Sequence, residues 1–261
     1  MWKQIEQLKK EYLALNLQEV IDYEKFSMIS ITYHSTKIEG CSLTEADTKI
    51  LLEKGITAKG KPLIDHLMAK DHFAAINFLK ETAITKRKFS LNFLKEVAAL
   101  VMKNTGGVVK TISGEFDTAK GDFRLAQVYV GNKYFPDFKK VPNLLDHVIR
   151  LVNEKIDSAK GSDILKLSAD IHYHLVNIHP FGDGNGRTSR LFMNYIQMYK
   201  NEPLIKIFAE DRAEYIDALN RTETENDISI FRNFICSQQI KFLKTEIDLF
   251  KKKGGDFSLL L

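Results

Sequence analysis

Residues 179–190, His179-Pro180-Phe181-Gly182-Asp183-Gly184-Asn185-Gly186-Arg187-Thr188-Ser189-Arg190, hold in one short stretch the parts that nucleotide chemistry needs. The imidazole of His179 can take a proton from an attacking hydroxyl near neutral pH. Asp183 is a hard oxygen ligand, suited to Mg2+ shared with nucleotide phosphates. Gly182, Gly184 and Gly186 permit a tight loop with inward N–H groups, between a helix ending near Ile178 and one starting near Arg187. A glycine-rich loop feeding a helix N-terminus cradles anions, because unpaired N–H donors and the positive dipole end both favour phosphate oxygens. Arg187 and Arg190 are three apart and share a face of that first turn. Positive charge there opposes the dipole, so two arginines imply an anion to bind. Taken singly, each feature has a plainer explanation: a helix–helix turn, a capping histidine, a solvated arginine face. Their joint occurrence in fixed order describes phosphoryl or nucleotidyl transfer.

A second stretch lies far upstream, Ser35-Thr-Lys-Ile-Glu39-Gly40. Ser35 and Glu39 are four apart and lie on one helical face. Glu39 stands in the final turn, where a carboxylate is disfavoured by the dipole and wants a cationic partner.

The elements that must position these residues are helical. Ile5, Leu8, Tyr12 and Leu15 recur at helical spacing, and Asp22 to Ile38 reads as a second helix ended by Gly40. Ser42-Leu-Thr-Glu45 is a capping box opening a helix through Leu52. Pro62 suits the first turn of a helix to about Ala83, and Ser90 can cap one to about Met102. Further helices are expected from Pro142 to about Asn153 and from Ser162 or Asp163 to Ile178. Others run from Arg187 to Lys200, Glu210 to Leu219 and Asp227 to about Lys251. One segment departs: Phe123-Arg-Leu-Ala-Gln-Val-Tyr-Val130 is β-rich, and Gly131-Asn132 precedes Lys133-Tyr-Phe-Pro136. This predicts a short β-hairpin, an exposed edge that can pair with an extended partner segment.

Composition narrows the class. With 44% hydrophobic residues and 17 Phe in 261 residues, the chain can bury a core, and disorder is excluded. A net charge of +4, from 38 basic against 34 acidic residues interleaved along the chain, argues against a dedicated nucleic-acid binder. Cys41 and Cys236 form no disulfide framework. No apolar run approaches the ~20 residues needed to cross a bilayer. The N-terminal segment is amphipathic and polar, unlike a signal peptide, and a soluble cytoplasmic protein with no membrane partner is the expectation.

Residues 179–190 match the Fic family motif, His-Pro-Phe-x-Asp/Glu-Gly-Asn-Gly-Arg-x-x-Arg, at every fixed position. Gly186-Arg187 favours Fic over the related Doc-type kinases. Phe123-Arg-x-x-x-Val-Tyr-Val-Gly131 resembles the family's flap, which lies over the active site. Arg212-x-x-Tyr215-x-x-Ala-Leu219 and Phe231–Ile235 resemble helices closing the nucleotide pocket. The resemblance, close to the animal endoplasmic-reticulum Fic enzymes and their bacterial relatives, covers most of the chain.

It implies an all-α Fic fold with a β-hairpin flap and an N-terminal inhibitory helix. It also implies transfer of AMP from ATP to a Ser, Thr or Tyr hydroxyl of a target protein. His179 would be the general base and Asp183 the Mg2+ ligand. Gly184, Asn185 and Gly186 would contact the phosphates, with Thr188 and Ser189 in the same first turn. Arg187 and Arg190 would hold the β/γ end, while Val130, Gly131, Asn132, Lys133, Tyr215 and Ile216 would border the nucleotide. Where relatives place an Asn against adenine, this chain reads Arg221-Thr-Glu-Thr-Glu225, with Asn226 slightly late, so base preference stays open. Ser35–Gly40 matches the family's inhibitory Ser/Thr-x-x-x-Glu-Gly/Asn pattern, with Arg190 as the partner of Glu39.

On this reading residues 1–85 form the N-terminal region with the inhibitory motif, 86–251 the Fic core and 252–261 a tail. The target would dock on the flap, and family likeness alone suggests a homodimer. The same residues also admit the reverse reaction, with Glu39 positioning a water, or an idle nucleotide- or partner-binding module. His172, His174 and His179 lack the carboxylate spacing of a zinc site.

Overall fold

The computed structural model describes residues 1–17, 23–131 and 133–252. The expectations for Asn132, for the helix start at Asp22 and for the tail from Gly254 lie outside the described residues. In chain order the elements are α1 (Trp2–Leu13), α2 (Tyr23–Ile38), α3 (Glu45–Lys54), α4 (Leu63–Ile84) and α5 (Leu91–Val101). A hairpin follows, β1 (Val108–Thr111) and β2 (Gly114–Asp117), then the flap strands β3 (Tyr129–Val130) and β4 (Lys133–Tyr134). The rest is helical: α6 (Val141–Ile156), α7 (Ser162–Ile178), α8 (Asn185–Tyr199), α9 (Arg212–Thr224) and α10 (Ile228–Lys252).

Local chemistry explains most boundaries. The Ser90 hydroxyl accepts from the Phe93 N–H and starts α5. Gly40, at φ 97°, follows α2 in the left-handed region. The capping box falls two residues later than Ser42: Thr44 accepts from the Asp47 N–H, and the Asp47 carboxylate accepts from the Thr44 N–H. Ser42 and Glu45 are engaged elsewhere, Ser42 donating to Asp65 and Glu45 accepting from Ser30. Neither Ser162 nor Asp163 caps α7; Gly161 holds that position without a side-chain bond. The β1–β2 hairpin was not anticipated. Its strands are four residues each and mostly exposed, with only Phe116 buried, so they lack the alternation that marks a half-buried strand.

The site is built around α8. The aromatic residues Phe89, Phe93, Phe192 and Tyr195 interlock beneath it, Phe93 and Phe192 meeting edge to face at 5.3 Å. A second apolar cluster joins α7, α9 and α10 around Phe231, Ile235 and Tyr215, and takes in Ile38 from the end of α2. Although α8 is rich in polar residues, nearly all of it is buried. Two of its buried amides are bonded: Asn194 grips both backbone groups of Ile205, and Gln197 donates to Ser168. Helix α2 is also buried on most of its faces, and Met28 and Ile31 belong to the main core. Glu39 therefore projects from a core helix, not from a detachable lid. Among the described residues no helix is long and apolar enough to cross a membrane.

Candidate active site

The motif loop joins α7 to α8. His179 ends α7 with φ 52° and ψ 60°, its N–H donating to the Leu175 carbonyl at 3.0 Å. This left-handed cap turns the chain sharply and swings the imidazole under the flap. There the ring stacks on Phe135, with centroids 4.0 Å apart. Burial pushes the His179 imidazole down to about 4, assisted by the charges of Arg124 and Lys133 and opposed by the Val176 backbone and Asp183. It is therefore neutral at pH 7, the form a general base needs.

Gly184 turns the loop into α8 at φ 77°, where a side chain would be strained and would press on Met102. Gly186 serves by its lack of a Cβ. A methyl group there would collide with Glu39 Oε1 and stand 3.0 Å from Arg190 Nη1. The first turn of α8 thus offers a cradle for anions, and the Glu39 carboxylate lies in it. Arg190 Nη2 donates to Glu39 Oε1 at 2.6 Å and to the Ser35 carbonyl at 2.9 Å, while Nε donates to Ser35 Oγ at 2.9 Å. Ser35 of α2 and Glu39 just past its end therefore converge on one buried guanidinium. Burial alone would raise the Glu39 carboxyl, but Arg190, Arg187 and Arg212 more than offset it and hold it below the usual carboxylate value. Arg212 also donates to the Ile38 carbonyl at 2.7 Å, closing the end of α2.

Other expected site residues fall into place differently. Arg187 and Arg190 do not present one shared surface. Arg187 reaches toward the end of α5, making long contacts to Val101 O, Met102 Sδ and Asp183 Oδ1. Asn185 closes the loop: its amide bonds the Phe181 backbone at both ends, at 3.0 and 2.9 Å. Ser189 donates to the Asn185 carbonyl within α8. Tyr215 is buried among Phe231 and Phe234, its hydroxyl 3.1 Å from His172 Nε2, and burial pushes that phenol up to about 12. It packs behind Arg190, while its neighbour Ile216 is exposed. On the flap, Lys133 bridges Asn177 of α7 at 2.5 Å and Glu223 of α9 at 2.6 Å.

Several buried polar atoms remain without a hydrogen-bond partner: Arg190 Nη1, Arg187 Nε, Thr188 Oγ1 and His179 Nδ1. Two unsatisfied guanidinium donors beside open helix N–H groups fit phosphate oxygens. Asp183 is 68% exposed at its side chain, and among the described residues no three His, Cys, Asp or Glu side chains gather. Asp183 can thus hold Mg2+ only jointly with ligand oxygens and water. Cavities of about 500 and 390 Å3 lie elsewhere, and neither is lined by the motif loop.

Sequence reasoning missed Arg124. Its guanidinium is buried and bonds the His179 carbonyl. It stands in the flap pattern Phe123-Arg-x-x-x-Val-Tyr-Val-Gly131, but a partner 55 positions away leaves no spacing signal for this role.

The Fic/DOC family model matches residues 88–197. The chain is 34% identical over 214 residues to Protein adenylyltransferase Fic of Aedes aegypti, covering 82% of this chain and 40% of that protein. It is 32% identical over 243 residues to the protein of the same name in Culex quinquefasciatus, covering 90% of this chain and 45% of that one. The chain thus spans less than half the length of these curated relatives. Among solved structures, a Fic-domain-containing signaling protein from Bacteroides thetaiotaomicron superposes with a TM-score of 0.80 at 25% identity, covering 95% of this chain and 98% of that one. Fic-1 from C. elegans gives 0.74 at 26%, covering 96% and 73%. The all-α architecture with its flap is the Fic fold, and by motif, family model and structure the chain belongs to the Fic/DOC family.

Proposed function

We propose that this site transfers AMP from ATP to a Ser, Thr or Tyr hydroxyl of a protein and releases pyrophosphate. The observation that carries the reading is the complete motif folded into one loop and the first turn of α8, with the Glu39 carboxylate inside its anion cradle on Arg190. The hydroxyl oxygen attacks the α-phosphorus as the bond to the β-phosphate oxygen breaks. His179, neutral at pH 7, takes the hydroxyl proton. The Gly186 end of α8 and Arg190 hold the phosphate tail, which aligns the leaving group for in-line displacement. Asp183 would hold Mg2+, which would supply charge neutralisation to the phosphates.

Glu39 restrains the reaction by occupying the guanidinium that the γ-phosphate needs. Its own negative charge repels the same group. The exposed β3–β4 hairpin, with Tyr129 and Tyr134 outermost, is where an extended target segment would add as a strand. A homodimer and a cytoplasmic setting, the latter suggested by two buried free thiols, belong to the same proposal.

The test is incubation of the Glu39→Gly protein with labelled nucleotides and a cell lysate. Label on protein bands, lost when His179→Ala is added, is the expected result. Nucleotide binding without label on any protein would count against the reading.

A further inference from the structure

The flap and the general base are joined by the guanidinium of Arg124, at the start of the flap segment. Arg124 is 1% exposed, and all three of its side-chain bonds go to backbone carbonyls. Nε donates to His179 O at 2.8 Å, Nη1 to Ala126 O at 2.7 Å and Nη2 to Pro136 O at 2.5 Å. Its backbone N–H donates to Pro180 O at 2.9 Å. Ala126 and Pro136 stand on either side of the β3–β4 hairpin. One buried cation therefore ties both ends of the flap to the residue that carries the imidazole.

We infer that Arg124 is a positioning residue that registers the flap to His179, so that the target-presenting strand and the base act as one body. This rests on the nucleotidyl-transfer reading above.

Three features carry the inference. First, His179 is held in a left-handed backbone, which is unfavourable for a residue with a Cβ, and such a conformation persists only where its surroundings hold it. The Arg124 bond to its carbonyl is one such restraint. Second, the imidazole is stacked on Phe135. Phe135 is in turn fixed by its N–H to Val128 O and, through Pro136, by Arg124. Backbone and ring of the base are thus set by the same guanidinium. Third, burial pushes the Arg124 guanidinium below its ordinary value. Desolvating a cation is costly, and the charge-assisted bonds to three carbonyls offset that cost only with all three in place. Lysine, a point charge on a flexible stem, cannot reproduce that fork.

The experiment compares Arg124→Ala and Arg124→Lys in the Glu39→Gly background. It reads single-turnover self-labelling from ATP labelled at the α-phosphate, and the His179 ring signal by NMR. A misplacement near 1 Å costs about 10²-fold in rate, so Arg124→Ala should label about 10²-fold more slowly at saturating ATP. Half-saturation in ATP should move less than about twofold, since Arg124 touches no phosphate-binding group. The His179 ring signal should broaden from one sharp set, and millimolar guanidinium chloride should restore part of both rate and sharpness. Arg124→Lys should fall in between and is the deciding variant if Arg124→Ala does not fold. An unchanged rate and ring signal in a folded variant would overturn the inference. So would a fall in rate with a matching rise in ATP half-saturation and no guanidinium rescue. If the Glu39→Gly parent transfers no label, the functional reading fails, and the ring signal with its guanidinium response still decides the role of Arg124.

Discussion

Replacing Glu39 by glycine should release the cradle, and the size of the effect can be worked from its contacts. Glu39 makes one charge-assisted bond to Arg190, at 2.6 Å. Bonds to charged groups contribute about 1.5–3 kcal/mol. The Glu39 side chain is 35% exposed, so solvent screening places the pair in the lower part of that range, about 1.5–2 kcal/mol. At 1.36 kcal/mol per tenfold, this holds the carboxylate in the cradle against phosphate by about 10- to 30-fold, an advantage that Glu39→Gly removes. A second contribution comes from alignment. With Glu39 present, ATP can bind through its base and α-phosphate while the tail is displaced, and a small misplacement costs up to about 10²-fold. Transfer should therefore rise at least about tenfold, with a smaller change in nucleotide affinity. The variant should also remain folded. Arg190 keeps both bonds to Ser35, so its charge is not stranded, and the thermal midpoint should shift little. Glu39→Asp should be intermediate, because the shorter side chain reaches Arg190 less well. Arg190→Ala should be inactive with or without Glu39, since brake and substrate compete for that guanidinium. The assay is label incorporation from ATP over time at several ATP concentrations. Equal rates for Glu39→Gly and wild type would refute the reasoning.

Four further outcomes follow from the same geometry. His179→Ala should lose about 10²–10⁴-fold in transfer rate while Mg·ATP binding, read by calorimetry, stays nearly intact. Gly186→Ala should push Glu39 aside yet fail to activate, because the same methyl group occupies the phosphate cradle; gain of label in this variant would show the cradle lies elsewhere. Tyr129→Pro should weaken modification of folded targets more than ATP binding, as measured on the same preparation. Burial holds His34 and His179 down at about 4 against an ordinary 6.5. The unfolded chain then binds more protons between those values, so the thermal midpoint should fall as pH drops from 6.5 towards 4.

Much of this was legible in the sequence because the decisive residues act locally. The glycine loop, the His179 cap, the Ser90 cap and the Gly40 stop each depend on neighbours within a turn or two. The Ser35/Glu39 pairing with Arg190 was legible only through likeness, since 151 positions separate Glu39 from its partner. What stayed hidden depended on tertiary choice. Ser42-x-x-Glu45 and Thr44-x-x-Asp47 are overlapping capping boxes, and the fold settled the matter by using Ser42 and Glu45 for Asp65 and Ser30. Arg187 and Arg190 share a helix face in sequence, yet α5 captures one and α2 the other. Asn185 could have been anticipated as a loop clasp, because Asn side chains readily bond nearby backbone in glycine turns. Tyr215 reads as pocket-lining, but the aromatic cluster of α9 and α10 takes it into the core. Arg124 stood in the flap pattern, yet its role carried no signal, because its acceptors are backbone carbonyls whose positions exist only in the folded chain.

The central claim is that the bond broken lies between the α- and β-phosphates and that the AMP part stays on protein. Parallel incubations of the Glu39→Gly protein with Mg2+ and ATP labelled at either the α- or the γ-phosphate test this directly. The account predicts α-label retained on a protein hydroxyl, lost on adding His179→Ala, and γ-label recovered wholly in pyrophosphate. Protein-bound γ-label would make the site a kinase, and absence of protein-bound α-label would contradict the account.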